Sequence, residues 1–203
     1  MKDFWNQRYR SATFAYGKTP NVFFKQQLDR LVPGKLFLPA EGEGRNAVYA
    51  AQGGWEVTAY DFSEEAIKKA MILAQEKKVE FTYQNASLDQ VDFPQASFDA
   101  VGIVYVQYPT GVRTKNFKKI SSFLKPGGTL IMEVFSKNHL ENQRLNPGVG
   151  GPKNIDQLYD LNEIKHDFSD FEVIQLSEEK TNLEEGVFHR GLASVIRLVG
   201  IKK

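Results

Sequence analysis

At 203 residues, with 41% hydrophobic and 25% charged, the chain is the size of one globular domain with a continuous core. Lys plus Arg number 26 against 25 Asp plus Glu, a net charge of +1. The basic excess normal for proteins held to nucleic acid through phosphates is absent, and a small-molecule partner is the expectation. No cysteine and only three histidines are present, which excludes disulfides, thiolate metal sites and a cysteine nucleophile, and leaves no basis for a metal centre.

The N-terminus, MKDFWNQRYR, lacks the apolar stretch of a signal peptide, and no window approaches the ~20 apolar residues that span a bilayer. A cytoplasmic location is expected. The chain reads as a single domain, 1–203, with 1–33 as an N-terminal lid and helix segment and 34–203 as the core. The first residues read as irregular, followed by a helix around Asn21 to Leu31 that Pro33-Gly34 stops. KLFLP reads as a strand, RNAVYAAQGG as a helix and WEVTAYD as a strand. SEEAIKKAMILAQEKK then reads as a helix capped by Ser63, with acids in its first turn and lysines in its last. VEFTYQN and FDAVGIVYV are strands, RTKNFKKISSFLKPGG is a helix ended by Pro-Gly-Gly, and TLIMEVF is a strand. The tail holds a predicted helix, IDQLYDLNEIKHDF, then strands FEVIQL and ASVIRLVGI joined by EEKTNLEEGVFHRGL.

Strands alternating with helices predict an α/β, doubly wound, mostly parallel seven-stranded sheet with helices on both faces and a C-terminal antiparallel β-hairpin. Ligands of such sheets bind beyond the carboxyl ends of the strands. Two features fall there: the loop Ala40 to Gly44 (AEGEG) and Asp61, which ends the second strand. A carboxylate at that position accepts hydrogen bonds from a ribose diol, as in dinucleotides and in S-adenosylmethionine. A dinucleotide would add a pyrophosphate at the helix N-terminus. Glu41 and Glu43 oppose that anion and favour a ligand carrying a sulfonium and an ammonium group, since two unit charges ~4 Å apart interact by about 1 kcal/mol even in water. The dinucleotide fingerprint also lacks its third glycine, with only Ala47 as candidate.

On these residues the chain resembles class I S-adenosylmethionine-dependent methyltransferases, and within them the TehB (tellurite resistance) and thiopurine methyltransferase group. FWNQRY with FAYGKTPNVFF is similar to that group's N-terminal segment, LFLPAEGEGRNAVYAAQGGWEVTAYDFSEEAI to its glycine loop and acidic second strand, and FDAVGIVYV with FLKPGGTLIMEVF to its fourth and fifth strands. Two positions depart from the common pattern: Leu38 stands where the family usually has Asp, and Ala40 where it has its first glycine. The family's acidic residue after the third strand falls at Asn85.

The resemblance implies S-adenosyl-L-methionine as cofactor. It places Ala40, Glu41 and Gly42 along the methionine part, Asp61 on the ribose, and Phe62, Asn85, Ser87 and Leu88 around adenine. Val104 and Tyr105 would lie under the sulfonium, with Tyr16 in the lid. The implied reaction is in-line methyl transfer to a small acceptor such as a thiol or metalloid oxyanion. His189, in EEGVFHRG, is expected in a loop near the strand ends as the candidate general base, because imidazole titrates near neutrality. Two alternatives stand beside this one: a non-catalytic protein binding S-adenosylmethionine or S-adenosylhomocysteine, and a dinucleotide-dependent oxidoreductase. No membrane or nucleic-acid partner is expected.

Overall fold

A computed structural model describes residues 2–203. Seven strands form one sheet in the order β3-β2-β1-β4-β5-β7-β6. β1 (Lys35–Pro39), β2 (Glu56–Asp61), β3 (Thr82–Asn85), β4 (Phe98–Val104) and β5 (Leu124–Phe135) pair in parallel. β6 (Phe171–Glu185) and β7 (His189–Lys202) form an antiparallel hairpin, and β7 joins it to β5. The helices are α1 (Lys2–Tyr9), α2 (Val22–Leu28), α3 (Arg45–Gln52), α4 (Glu64–Lys77), α5 (Thr110–Phe123), α6 (His139–Leu145) and α7 (Leu161–Asp167). The expected doubly wound fold with its terminal hairpin is the one observed.

Both faces of the sheet are covered, so strand side chains alternate between two cores. In β1, Phe37 points into a cluster with Phe98, Phe117, Ile120 and Phe123 beneath α5. Its neighbours Leu36 and Leu38 point the other way, to Phe24, Leu28, Ala47 and Ala50 of α2 and α3. Leu38 therefore serves the core, and Gly102 of β4 leaves the room: a Cβ there would lie 2.7 Å from the Leu38 side chain.

Local signals set the helix ends. The Ser63 hydroxyl accepts from Ala66 N at 3.2 Å, ahead of Glu64 and Glu65, and Lys77 closes the last turn of α4. Asn21 caps α2 through its side-chain oxygen, 2.8 Å from Phe24 N.

Four elements differ from the sequence reading, one of them α6, where no helix is predicted. The chain's start is not irregular: α1 packs along α4, with Ser63 Oγ donating to Asn6 Oδ1 at 2.6 Å and Lys2 paired to Glu64. The predicted tail helix is split, with only a 3-10 turn at Ile155–Gln157 before α7, whose N-terminus Asp160 caps. The hairpin connection is mostly strand. Leu183 pairs with Gly191 and Glu185 with His189, so only residues 186–188 turn the chain. Thus His189 opens β7 and is buried at 4% exposure, and the expected loop position is corrected. Alternate residues Leu183 and Glu185 face inward while their neighbours Asn182 and Glu184 face out. A polar composition hid the strand.

Candidate active site

The chain leaves β1 through Pro39 and turns into α3 on three left-handed residues: Ala40 at φ +49, Gly42 at φ +67 and Gly44 at φ +81. Ala40 adopts the conformation that glycine would, at a cost usual for a non-glycine residue in that region. Gly44 has a packing reason, because a Cβ there would sit 2.6 Å from Ala70 Cβ of α4. At Gly42 the missing Cβ admits the Tyr9 hydroxyl, which would otherwise lie 2.9 Å from it.

The two loop carboxylates have different partners. Glu41 folds onto the N-terminus of α3 and accepts from Asn46 N at 2.8 Å, Ala47 N at 2.9 Å and Asn46 Nδ2 at 3.2 Å. It thus occupies the place where a pyrophosphate would be received. Burial pushes its pKa up to about 7 against the pull of the Ala47 and Asn46 donors. Glu43 points away, to the N-terminal segment. It accepts from Ala15 N at 3.0 Å and Tyr16 N at 3.2 Å and pairs with Lys69 at 2.5 Å, and Lys69 also donates to Thr13 O at 2.6 Å. Of the two, only Glu41 lines a cavity in which it could meet a cationic ligand; Glu43 is buried against a lysine.

At the end of β2, Asp61 accepts from Gly42 N through Oδ2 at 3.1 Å and from Ser63 N through Oδ1 at 2.8 Å. Each oxygen retains acceptor capacity. Burial raises its pKa to about 6 even though main-chain donors of Ser63, Gly42 and Phe62 oppose the shift. Asn85 Nδ2 donates to the Asp61 carbonyl at 3.2 Å.

Between these groups lies a cavity of about 170 Å³. Its β1–β2 end is lined by Ala40, Glu41, Asn46, Asp61 and Phe62, and its roof by Trp5, Tyr9 and Tyr16. Its β4 end is lined by Val104 to Pro109, with Arg45 and His189. It is smaller than the ~300–1,000 Å³ usual for ligand pockets, because the N-terminal segment lies across it. A wider groove of about 740 Å³ runs outside that segment along α4. It is open to solvent and contains neither Asp61 nor Glu41, so the smaller cavity is the one with the chemistry.

Of the expected site residues, Tyr16, Ala40, Glu41, Asp61, Phe62, Val104, Tyr105 and His189 line this cavity. Gly42 sits behind it, with its carbonyl accepting from Tyr83 Oη at 2.6 Å. Ser87 binds Gln90, and Leu88 is buried in the main core, so neither lines the cavity.

A buried polar cluster that sequence reasoning missed closes the β4 end. Glu185 accepts from Arg45 at 3.0 Å, Asn21 Nδ2 at 3.2 Å and His189 Nδ1 at 3.0 Å. Burial pushes the Glu185 pKa up, but the Arg45 guanidinium and the His189 hydrogen bond outweigh it and hold the carboxyl at about 2. Glu133 accepts from Tyr105 Oη at 2.6 Å, Asn21 Nδ2 at 2.6 Å and Arg197 Nε at 2.6 Å. Tyr105 is fixed further by stacking on Phe135, at 4.6 Å between centroids, and takes φ +52. One signal was visible: Glu133 interrupts the apolar run TLIMEVF. For Glu185 none was, because only the hairpin register turns it inward.

Residues 40–128 match the family model described as "Methyltransferase domain". No curated protein matches the chain. Solved structures share the fold at low identity. TehB from Haemophilus influenzae is 17% identical, with 100% of this chain and 67% of that one covered and a TM-score of 0.73. Magnesium protoporphyrin IX methyltransferase from Synechocystis, solved with S-adenosylmethionine, is 19% identical over 100% and 95% of the two chains, with a TM-score of 0.68. A structure described under the conversion of a disulfide bond into a thioacetal group in echinomycin biosynthesis is 14% identical over 100% and 92%, at 0.80. The expectations of a methyltransferase and of S-adenosylmethionine as its cofactor agree with the domain match and the fold. The match to a methyltransferase domain thus spans residues 40–128, and it lies within a Rossmann-like fold that the chain shares with solved methyltransferases.

Proposed function

We propose that the protein is an S-adenosylmethionine-dependent methyltransferase acting on a small-molecule acceptor. The observation that carries this reading is the division of labour around the first loop: Glu41 fills the α3 N-terminus, while the Asp61 carboxylate faces the same cavity from β2. A pyrophosphate would meet a carboxylate at its usual seat; a ligand with a ribose diol and a positive charge meets complementary groups at both.

In this reading Asp61 takes the ribose hydroxyls and Phe62 packs beside adenine. Asn85 borders the same edge, and Ser87 and Leu88 shape the loop that follows β3. Ala40, Glu41 and Gly42 run along the methionine part, with Val104 and Tyr105 beneath the sulfonium. The bound donor supplies a methyl group on an already activated leaving group. The chain's task is then alignment and exclusion of water, which can contribute ~7–11 kcal/mol in favourable systems. Tyr16 belongs to the lid formed by the segment up to Pro33. Glu43 and Lys69 hold that lid shut, and because the closed cavity is small it lifts for exchange. His189 is the general base.

Ala40 is the residue that would favour a non-catalytic binder, but it takes the left-handed conformation of the glycine it replaces, and the loop keeps its shape. The test is calorimetric titration with S-adenosylhomocysteine and with NAD. Micromolar or tighter binding of the former with none of the latter is expected; tighter binding of NAD overturns the reading.

A further inference from the structure

We infer that the methyl acceptor enters the site uncharged and protonated, as an aromatic hydroxyl or ring N–H compound, and that Glu185 is a positioning residue that orients His189 to remove its proton. This rests on the proposed methyltransferase reading and narrows it, away from the thiols and metalloid oxyanions that the sequence suggests.

The charge of the cavity comes first. Its lining holds two carboxylates, Glu41 and Asp61, and a single cation, Arg45. That guanidinium is committed: one nitrogen pairs with Glu185 at 3.0 Å and another donates to the carbonyls of Tyr16 and Thr19. An oxyanion acceptor would lose its water without gaining a free cation from the protein, and with Glu41 and Asp61 in the same lining it would have the donor's sulfonium as its one counter-charge, which makes burial of the ion costly. The walls at the β4 end are instead ring faces and edges. Tyr16 lies 4.4 Å and Tyr105 4.9 Å from the His189 ring, centroid to centroid, and Tyr108 and Pro109 continue the surface. Such walls suit a flat, neutral molecule.

The orientation of His189 comes second. Its Nδ1 lies 3.0 Å from Glu185 Oε2. An ionised carboxylate only accepts, so Nδ1 carries the proton and the lone pair of the neutral ring is on Nε2. No hydrogen-bond partner for Nε2 exists among the described residues, and the ring lines the cavity. Burial lowers the pKa of His189, and Glu185 offsets that only in part. The other charged or titratable groups facing the ring are Arg45 from α3, Arg8 from α1, Tyr16, Tyr105 and His139, none of which can replace the carboxylate at Nδ1. His139 is not available as a second base, since its own nitrogens are engaged with Gly150 O and Ser194 N. A carboxylate-held imidazole with a bare nitrogen has a use only where the acceptor brings a proton; a thiolate or oxyanion brings none. In the balanced step, the acceptor's O–H or N–H proton goes to Nε2, and its heteroatom pair forms the new bond to the methyl carbon. The sulfur keeps the pair of the broken S–C bond, leaving S-adenosylhomocysteine and a Glu185-stabilised imidazolium.

The test has two arms on the wild-type and His189→Gln proteins. In the first, the S-adenosylhomocysteine-loaded protein is titrated with 2-naphthol, indazole, selenite and tellurite. Binding of the neutral pair and none of the anions is expected; preferential anion binding overturns the acceptor class. In the second, release of S-adenosylhomocysteine is followed with phenols, ring N–H heterocycles, benzenethiol and tellurite across pH 5–9. Turnover of neutral acceptors is expected to fall as pH drops through the depressed histidine pKa. His189→Gln should lower it by roughly 10²–10⁴-fold while S-adenosylhomocysteine affinity stays within twofold. Equal rates in the two proteins, faster reaction of the thiol or tellurite, or no turnover across the neutral set each overturn the inference. Failure of S-adenosylhomocysteine to bind at all overturns the underlying methyltransferase reading as well, so the two failures are distinct.

Discussion

The two ends of the cavity are built on opposite plans. At the β1–β2 end, Asp61 and Glu41 are held mainly by main-chain N–H groups: Ser63, Asn46 and Ala47 from close in sequence, and Gly42 from the loop after the adjacent strand. At the β4 end, Glu185, Arg45, Asn21, Glu133 and His189 come from five elements or their flanks and are held by one another's side chains. A carboxylate held by main-chain donors can lose its side chain at the cost of a few neutral hydrogen bonds. A group in a buried charge cluster cannot, because its removal strands its partners without compensation.

The largest expected effect breaks the distal plan. Arg45→Ala leaves the Glu185 carboxylate buried without its cation, and a loss of about 3–5 kcal/mol is expected in denaturant unfolding. A change below 1 kcal/mol would mean that the cluster is not a stability element. Next, Glu43→Gln weakens the anchor on Ala15 and Tyr16 and strands Lys69, at about 1–3 kcal/mol. Hydrogen exchange at those two amides is expected to accelerate while strand amides keep their protection; uniform loss would show that the segment is not a separable lid.

The proximal plan is sharpened by pH. With its pKa raised to about 6, Asp61 is a carboxylate above that value and a neutral acid below it. A ribose diol donates best to the ionised form, so S-adenosylhomocysteine affinity is expected to fall on acidification, approaching about tenfold per pH unit below ~6. Affinity that is flat from pH 7 to 5 contradicts this. The smallest effect is Tyr105→Phe. It removes one of three partners of Glu133 and keeps the ring stacked on Phe135, so about 1 kcal/mol in stability is expected by thermal unfolding.

The same contrast explains what was legible in the sequence. The order of strands and helices, the Ser63 cap, the glycine loop and Asp61 rest on short-range signals: hydrophobic alternation, cap residues and glycine punctuation. Glu41 was legible for the same reason, whereas Tyr16, Ala40, Phe62, Val104 and Tyr105 were placed by the resemblance to methyltransferases and line the cavity. Leu38 looked like a departure at the site, but it faces the other layer and packs against Phe24 and Ala47. What the chain hid depends on distant partners. Residues 177–185 are strand because β7 lies beside them, and Glu185 turns inward only in that register. α1 is short, with Phe4 half exposed, and is held by Ser63 and Glu64 of the α4 N-terminus. Ser87 and Leu88 were placed by resemblance, and their loop packs onto the core instead.

The most direct test of the cofactor site is calorimetric titration of S-adenosylhomocysteine into wild-type protein and Asp61→Ala at pH 7.5, with thermal unfolding as a control. Affinity is expected to drop more than tenfold in a variant that still unfolds cooperatively, its melting temperature lowered only by the loss of the Gly42 and Ser63 hydrogen bonds. Equal affinities in the two proteins would contradict the assignment of Asp61 to the ribose and, with it, the placement of the ligand at the carboxyl ends of β1 and β2.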